Sequence, residues 1–271
     1  MLARRPLKVH DHKYSRGVVA VIAGSKRFPG ASLLTVGGAR RGGAGYVKYL
    51  NSHQSITDAV ISTYPDVVPI ASILNEKIDS LVVGPGSTTI RKIPPSIPVV
   101  LDSGALELAR ARKNGVSDRN QIIVLTPHEG ELGALGFSLD KSIQSTKVRE
   151  LNRIKVAQRI ADELHSVCVL KGHRTIVAAP QSSLDTSRGN KSRKSYYADL
   201  VGGPELATAG SGDVLAGLIG AFLASWQPKN HQEALEIVAG AVNLHSRAGK
   251  HAARTHKGVV ATDILESLAH C

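Results

Sequence analysis

The sequence predicts an α/β fold with three layers, α/β/α, in which helices cover both faces of a mostly parallel central sheet. Three observations carry this prediction. Short runs of Val, Ile and Leu alternate with segments of helical periodicity, as expected for βαβ units. The runs are continuously apolar, which is typical of strands buried on both faces. Small, polar or ionisable residues follow five of the runs, and the carboxyl ends of parallel strands share one edge of a sheet, where ligands bind.

The elements follow in chain order. The predicted strands are 18–23, 80–83, 97–101, 122–125, 167–170, 175–179 and 195–198. The last two flank a polar loop, so we expect them to form an antiparallel hairpin. The spacing of apolar residues predicts helices over 31–41, 147–164, 213–225, 231–249 and 262–269. The stretch 181–194 is polar and basic, and we interpret it as the exposed tip of the hairpin.

Composition limits the class of protein. The chain has 271 residues, 42% of them hydrophobic and 21% charged, which suits one soluble domain over residues 1–271. No apolar stretch approaches the ~20 residues needed to span a bilayer, and no signal-peptide segment follows the basic N-terminus. We therefore expect a cytoplasmic protein without a membrane partner. Cys168 and Cys271 lack metal-site spacing, and no metal ligand is assigned.

The net charge of +12 favours anionic partners. Nucleic acid is one candidate, and an anionic small molecule is the other. The basic clusters have no interleaved aromatic residues of the kind that stack on bases. We therefore expect a polyanionic small-molecule ligand and no nucleic-acid partner.

One glycine-rich run combines a hydroxyl residue with an aspartate where a helix begins. It reads Ala207-Thr208-Ala209-Gly210-Ser211-Gly212-Asp213 and continues to Gly217. Backbone N–H groups at a helix N-terminus favour negative charge, and glycine lets the chain approach a phosphate closely. Asp213 is placed to take a proton from an attacking hydroxyl while these amides hold a transferring phosphoryl group. On these residues alone, a simple helix cap by Ser211 or Asp213 explains the run equally well.

Two common phosphate-binding motifs are absent from the sequence. No G-x-x-x-x-G-K-[ST] motif occurs, and the glycine-rich segment 37–45 does not give G-x-G-x-x-G after a strand. These absences argue against a P-loop kinase and a Rossmann dehydrogenase.

The run from Ala207 to Gly217 resembles the signature of ribokinase-like enzymes, and within that superfamily the chain most resembles the NAD(P)H-hydrate dehydratases. The further matching segments are His12-Lys13 with Val21-Ile22-Ala23-Gly24-Ser25 and Phe28-Pro29-Gly30-Ala31, Gly84-Pro85-Gly86, Leu101-Asp102-Ser103-Gly104-Ala105-Leu106, Leu125-Thr126-Pro127-His128-Glu129-Gly130-Glu131, and Val169-Leu170-Lys171-Gly172-His173-Arg174-Thr175. The Pro-Gly-Ala and Thr-Pro-His-x-Gly-Glu segments discriminate this family from its relatives. The resemblance implies a ribokinase-like fold.

The resemblance also implies roles for particular residues. Asp213 is the expected catalytic base. The anion hole comprises Gly210, Ser211 and Gly212; the hydrated dinucleotide contacts Ala31, Gly86, His128 and Asp213; the adenine nucleotide contacts Lys171, Gly172, His173, Arg174, Thr175 and Gly212. Family enzymes phosphorylate the added ring hydroxyl with ADP or ATP, and phosphate is then eliminated. Mg²⁺ is expected with the nucleotide.

The same resemblance sets expectations about partners and departures. An epimerase on a separate chain and a homo-oligomer, a tetramer by analogy, are implied. The family commonly has Asn at the position of Gly203 and Gly at that of Glu205, so an amide is missing and a carboxylate is added beside the anionic ligands. Glu129 and Glu131 are expected near the site. The histidines other than His128 are interpreted as surface residues, and they include His245, His251 and His256.

Two other functions stay open on the sequence alone. A ribokinase-like kinase of a small molecule, such as a vitamin precursor, would leave a stable phosphorylated product instead of released phosphate. A basic nucleic-acid-binding or regulatory protein that has kept only the fold would bind duplex DNA with steep salt dependence and would turn over no nucleotide.

Overall fold

Nine strands within the described parts of the chain form one sheet. The protein is represented by a computed structural model, which describes residues 2–87, 90, 94–113, 120–140, 142, 145–183 and 195–271. The strands are β1 (Val18–Ile22), β2 (Tyr46–Leu50), β3 (Val68–Pro69), β4 (Ser80–Val83), β5 (Val99–Leu101), β6 (Ile123–Leu125), β7 (Val167–Leu170), β8 (Ile176–Ala178) and β9 (Tyr196–Ala198). The helices are α1 (Gly30–Arg41), α2 (Gln54–Thr63), α3 (Glu107–Lys113), α4 (Leu132–Leu135), α5 (Thr146–Leu164), α6 (Ser211–Trp226), α7 (His231–Thr255) and α8 (Ala261–Ser267).

The sheet is parallel over most of its width. Its strand order is β3-β2-β1-β4-β5-β6-β7-β8-β9, and every pair from β3 to β7 is parallel. Strands β8 and β9 are each antiparallel to their preceding neighbour, which confirms the predicted hairpin. The carboxyl ends of the parallel strands therefore lie at one edge, as the sequence predicts.

Two apolar cores lie on opposite faces of this sheet and confirm the three-layer prediction. Val19 and Val21 of β1 pack into one core with residues of α1, α2, α6, α7 and α8. Ala20 and Ile22 of the same strand pack into the other core with residues of α3, α4 and α5. Because successive strand residues face opposite sides, a strand buried on both sides has to be continuously apolar.

Five elements of the described structure were not predicted: the short helices α3 and α4, which follow β5 and β6, and three elements at one edge of the sheet. Strand β2 is not a continuous apolar run, because it contains Lys48. The buried ammonium group of Lys48 forms an ion pair with Glu76. Helix α2 and the two-residue strand β3 follow β2. At the other edge, residues 181–183 form one turn of 3-10 helix, and the rest of the predicted basic tip, 184–194, lies outside the described residues.

Helices α1 and α6 approach each other at backbone distance through glycine. A Cβ atom built on Gly217 of α6 lies 1.9 Å from the carbonyl oxygen of Thr35 in α1. One built on Gly38 of α1 lies 2.2 Å from the carbonyl oxygen of Val214 in α6. These close contacts fix the start of α6 against α1, and the start of α6 is the glycine–aspartate run.

We predict that Gly217→Ala destabilises the protein by about 1–3 kcal/mol, because a methyl group would collide with backbone that cannot rotate away. Urea unfolding measures the change. Gly133→Ala in α4 is the control, since a Cβ atom there meets nothing within 4 Å. Equal stabilities of the two variants would contradict the close α1–α6 contact.

None of the described helices combines the length and the apolar character that crossing a membrane requires.

Candidate active site

A cavity of about 620 Å³ opens at the carboxyl ends of β5, β6 and β7 and at the N-terminus of α6. Its wall contains residues from three of the five strand ends that the sequence singled out. The lining residues are Asp102, Ser103, His128, Glu131, Lys171, Gly172, His173, Thr175, Gly203, Pro204, Leu206, Ala207, Thr208, Ala209, Gly210, Ser211, Gly212, Asp213, Leu215 and His245.

The glycine–aspartate run forms the first turn of α6 at this cavity. Gly210 precedes the helix with φ +88°, a left-handed conformation that favours glycine, and it supplies no side-chain cap. No side-chain hydrogen bond caps this helix, so the structure does not show the simple capping role for Ser211 or Asp213. The first N–H groups of a helix have no partner within it, and here the residues that carry them line the cavity wall; the Ser211 N–H also donates to the Thr208 carbonyl oxygen at 3.3 Å. This arrangement suits a phosphate group.

Asp213 is a half-buried carboxylate whose pKa is strongly raised. Burial raises its pKa to about 7, and the negative charges of Asp102 and Glu131 act in the same direction. The nearby ammonium group of Lys171 opposes them. A carboxylate that titrates near neutral pH can both accept and release a proton under ordinary conditions, which is what a general base requires.

Lys171 and Asp102 form an ion pair at the floor of the cavity. Lys171 Nζ lies 2.7 Å from Asp102 Oδ1 and 3.9 Å from Glu131 Oε2. Thr126 Oγ1 also donates to Asp102 Oδ1 at 2.5 Å, and Ser103 Oγ donates to Oδ2 at 2.9 Å. Burial alone would lower the pKa of Lys171, but the carboxylates of Asp102, Glu131 and Asp213 outweigh it and raise that pKa, so the ammonium group stays charged.

The charge of Lys171 is directed at the anion-binding turn. A Cβ atom built on Gly212 would lie 3.2 Å from Lys171 Nζ. Position 212 therefore brings backbone N–H groups and a fixed cation together at one point of the wall. Sequence analysis singled out both residues, but it assigned no role to Asp102, which holds the lysine in place.

His245 is buried and lines the cavity. Its interpretation from the sequence as a surface residue is therefore wrong. Its Nε2 lies 3.3 Å from Ser211 Oγ. Burial lowers its pKa to about 4, so the ring is neutral at ordinary pH. His231 is buried as well. The helical spacing of Val238, Ala241 and Val242 places residue 245 on the same buried side of α7, and that signal was present in the sequence.

The residues expected to contact the hydrated dinucleotide fall into two groups. Ala31 and Gly86 lie together, since a Cβ atom built on Gly86 would be 2.7 Å from Ala31 Cβ, but neither lines the cavity. His128 does line it, and its side chain is 57% exposed. Its ring Nδ1 accepts a hydrogen bond from the Gly130 N–H at 2.9 Å, and its backbone N–H donates to Glu131 Oε2 at 2.9 Å.

The segment expected to contact the nucleotide follows β7. Lys171, Gly172, His173 and Thr175 line the cavity. Arg174 is the member that does not, because its side chain turns to Glu150 at 3.1 Å.

The two departures from the family pattern fit together in space. Gly203 lines the cavity, whereas Glu205 does not. The carboxylate of Glu205 is 3.2 Å from Lys250 Nζ, and a Cβ atom on Gly203 would lie 2.7 Å from that same nitrogen. The added negative charge is therefore neutralised by Lys250 and turned away from the anion-binding surface.

The fold is ribokinase-like, and its cavity lies at the N-terminus of α6. A ribokinase-like superfamily protein from Enterococcus faecalis superposes with a TM-score of 0.72 at 23% identity, covering 98% of this chain and 89% of that one. A Bacillus subtilis ADP/ATP-dependent NAD(P)H-hydrate dehydratase, co-crystallised with ATP and Mg²⁺, superposes with a TM-score of 0.75 at 24% identity and covers 98% and 92%. The fold prediction is confirmed.

Sequence comparison identifies the family. The NAD(P)H-hydrate dehydratase model matches residues 19–270, and the chain belongs to that family. The bifunctional NAD(P)H-hydrate repair enzyme Nnr of Mycobacterium leprae is 32% identical over 97% of this chain and 51% of its own length. The ADP-dependent (S)-NAD(P)H-hydrate dehydratase of Neisseria meningitidis is 30% identical over 94% of this chain and 84% of its own. The chain thus spans about half the length of the bifunctional relatives.

Proposed function

We propose that this protein dehydrates the (S)-hydrate of NADH or NADPH back to the reduced cofactor at the expense of ADP or ATP. One observation carries the proposal: Asp213, whose pKa is about 7, lies at the same cavity as the first turn of α6 and the ammonium group of Lys171. Membership of the dehydratase family supports this substrate. The names of the Neisseria and Bacillus proteins support ADP or ATP as the co-substrate.

The proposed reaction has two steps, phosphorylation of the ring hydroxyl and elimination of phosphate. Asp213 takes the proton of the added ring hydroxyl, whose oxygen attacks the terminal phosphorus of the nucleotide; the bridging P–O bond breaks, and AMP leaves from ADP, or ADP from ATP. Phosphate then leaves the ring with its C–O bond electrons, a proton leaves the neighbouring carbon, and a ring double bond forms. Hydroxide is a poor leaving group, and phosphorylation replaces it with a good one.

Each group at the cavity would assist one part of this reaction. The backbone N–H groups at Gly210, Ser211 and Gly212 would hold the transferring phosphoryl group, since preorganised donors stabilise developing negative charge. Lys171 would neutralise the nucleotide phosphates from the side of Gly212. Within the same proposal, Ala31, Gly86 and His128 hold the hydrated dinucleotide, and residues 171–175 hold the adenine nucleotide.

Mg²⁺ fits this site as a companion of the nucleotide. In the part of the chain that the structure describes, no group of three or more His, Cys, Asp or Glu residues is arranged to hold a metal ion. Magnesium in such sites uses one or two carboxylates together with substrate phosphates, and Glu131 and Asp213 are carboxylates at the cavity. When bound, Mg²⁺ supplies neutralisation of phosphate charge.

The acid limb of the pH–rate profile is expected near the pKa of Asp213, about 7, because the base must be deprotonated to act. Glu131→Gln should shift that limb of kcat/KM to lower pH, since the Glu131 charge is one of the causes that raise the Asp213 pKa. Glu163→Gln on the distant surface of α5 is the control. A limb that stays in place in Glu131→Gln would contradict the assignment of Asp213 as the titrating base.

The direct test of function is recovery of the reduced-nicotinamide absorbance from hydrated NADH or NADPH in the presence of ADP or ATP. Release of inorganic phosphate in equal amount is expected. A stable phosphorylated product without phosphate release would identify a small-molecule kinase instead. No turnover with either nucleotide would contradict both activities.

The last proposals concern the domain organisation, the partners and the location of the protein. We propose that the chain forms one domain of this family, which is supported by its single continuous sheet. We also propose NAD(P)H-hydrate epimerase as the partner activity, which is supported by the bifunctional repair enzymes, where the matched segment is only about half of the protein. Homo-oligomeric assembly and a cytoplasmic location stay predictions.

A further inference from the structure

One arginine lies buried beneath the segment that follows β7. Arg153 is on α5 and only 4% exposed. Its Nη1 donates to the carbonyl oxygen of Arg174 at 2.7 Å, and its Nη2 donates to the carbonyl oxygens of Lys171 at 3.2 Å and Leu170 at 3.3 Å. A single guanidinium group thus spans both ends of the loop that carries Lys171 to Arg174.

The same side chain reaches the neighbouring turn. Arg153 Nε lies 3.0 Å from Glu129 Oε1, and Glu129 directly follows His128 in the turn at the end of β6. This turn and the loop already contact each other, because the Lys171 N–H donates to the Pro127 carbonyl oxygen at 2.8 Å. Arg153 therefore ties both cavity-lining segments to one rigid helix.

The loop is built around this guanidinium group. A Cβ atom on Gly172 would lie 2.4 Å from Arg153 Nη2, so a glycine is required where the arginine passes under the backbone. The planar group offers several donors in a fixed geometry, which a lysine cannot reproduce. Burial of a charged group is costly unless it is paired and hydrogen-bonded. Here three carbonyl groups accept hydrogen bonds from Nη1 and Nη2, and the Glu129 carboxylate balances the charge beside Nε, which itself has no hydrogen-bond partner.

We propose that Arg153 is a positioning residue for the nucleotide: it holds residues 171–175 in the conformation that binds the adenine nucleotide, without touching the ligand itself. This inference rests on the proposed function. Its consequence is that nucleotide affinity depends on a side chain behind the cavity wall. The Lys171 side chain depends on it too, because the carbonyl group of that residue is one of those held.

The test compares Arg153→Met and Arg153→Lys with Arg159→Met, which removes an exposed arginine from the same helix. Calorimetry measures the affinity for ADP and for ATP, and kinetics separate KM from kcat. We expect Arg153→Met to raise the nucleotide Kd and KM about tenfold or more, with a smaller change in kcat. Arg153→Lys should recover part of the affinity, and Arg159→Met should match the unsubstituted protein.

A purely structural role has a different outcome. It would lower the unfolding midpoint of Arg153→Met but leave the nucleotide Kd of the folded protein unchanged, and that result would overturn the inference. If Arg153→Met does not fold, Arg153→Lys decides: a raised nucleotide Kd supports the inference, and an unchanged value overturns it. Absence of nucleotide binding by the unsubstituted protein would instead overturn the proposed function.

Discussion

Asp213→Asn is expected to lose about 100-fold or more in turnover and at the same time to become more stable at pH 8. The loss follows because asparagine cannot accept the hydroxyl proton, and general bases contribute about 100-fold or more to rates. The gain follows from linkage. The pKa of Asp213 is raised from 3.8 to about 7 in the folded protein, so between these values the unfolded chain releases a proton that the folded chain retains.

The difference between the pKa values of Asp213 in the folded and the unfolded chain determines the sign of the stability change. Ionisation of Asp213 penalises folding progressively as the pH rises from about 4 to about 7, and the full penalty is present above that range. Asparagine carries no such penalty, so the free energy of unfolding should rise by about 2–4 kcal/mol at pH 8 and differ little near pH 4. Urea unfolding at the two pH values measures both quantities.

Asp263→Asn is a matched control because Asp263 is also the third residue of a helix, α8. There the side chain has an ordinary capping role, and its Oδ2 accepts the Val260 N–H at 2.9 Å. The Asp263 variant should lose up to about 1 kcal/mol and keep its turnover. If Asp213→Asn behaved in the same way, Asp213 would be a helix-terminus residue and the proposed catalytic centre would be wrong.

The central part of the fold was predictable from the sequence because parallel strands buried on both faces leave an unmistakable apolar pattern. Strands β4 and β7 match their predicted bounds. The edge containing β2 was not predictable in this way, because Lys48 interrupts the apolar run and is satisfied only by Glu76, which is distant in sequence. Ion pairs of this kind depend on tertiary contacts that no local pattern encodes.

The site was predictable where one short motif carries it, and not where contacts join distant segments. Gly212, Asp213 and Lys171 were found from their motifs. The roles of Asp102 and His245 were not, because they depend on pairing with Lys171 and Ser211 from other elements. The perturbed acidity of Asp213 belongs to the same class, since it arises from burial and from the charges of neighbours on two other strand ends.

Lys171→Met is expected to have the largest effect on stability, about 3 kcal/mol or more, because it leaves the carboxylate of Asp102 buried without its cation. Asp102 is 1% exposed, and among the described residues it would keep the hydroxyl donors of Thr126 and Ser103. Nucleotide affinity should fall as well, because the cation beside Gly212 is lost. The acid limb of kcat/KM should move to higher pH, since Lys171 is the charge that lowers the Asp213 pKa.

The double variant Lys171→Met/Asp102→Asn separates these effects. Removing both charges should recover much of the stability, because no uncompensated buried charge remains, but it should not recover nucleotide binding. Arg159→Met is the control for loss of an ion pair whose two side chains are both exposed, and it should cost no more than about 1 kcal/mol. If the double variant regained nucleotide affinity together with stability, Lys171 would serve only to neutralise Asp102. If the double variant regains stability alone, Lys171 acts on the anionic ligand, and Asp102 holds the lysine in position.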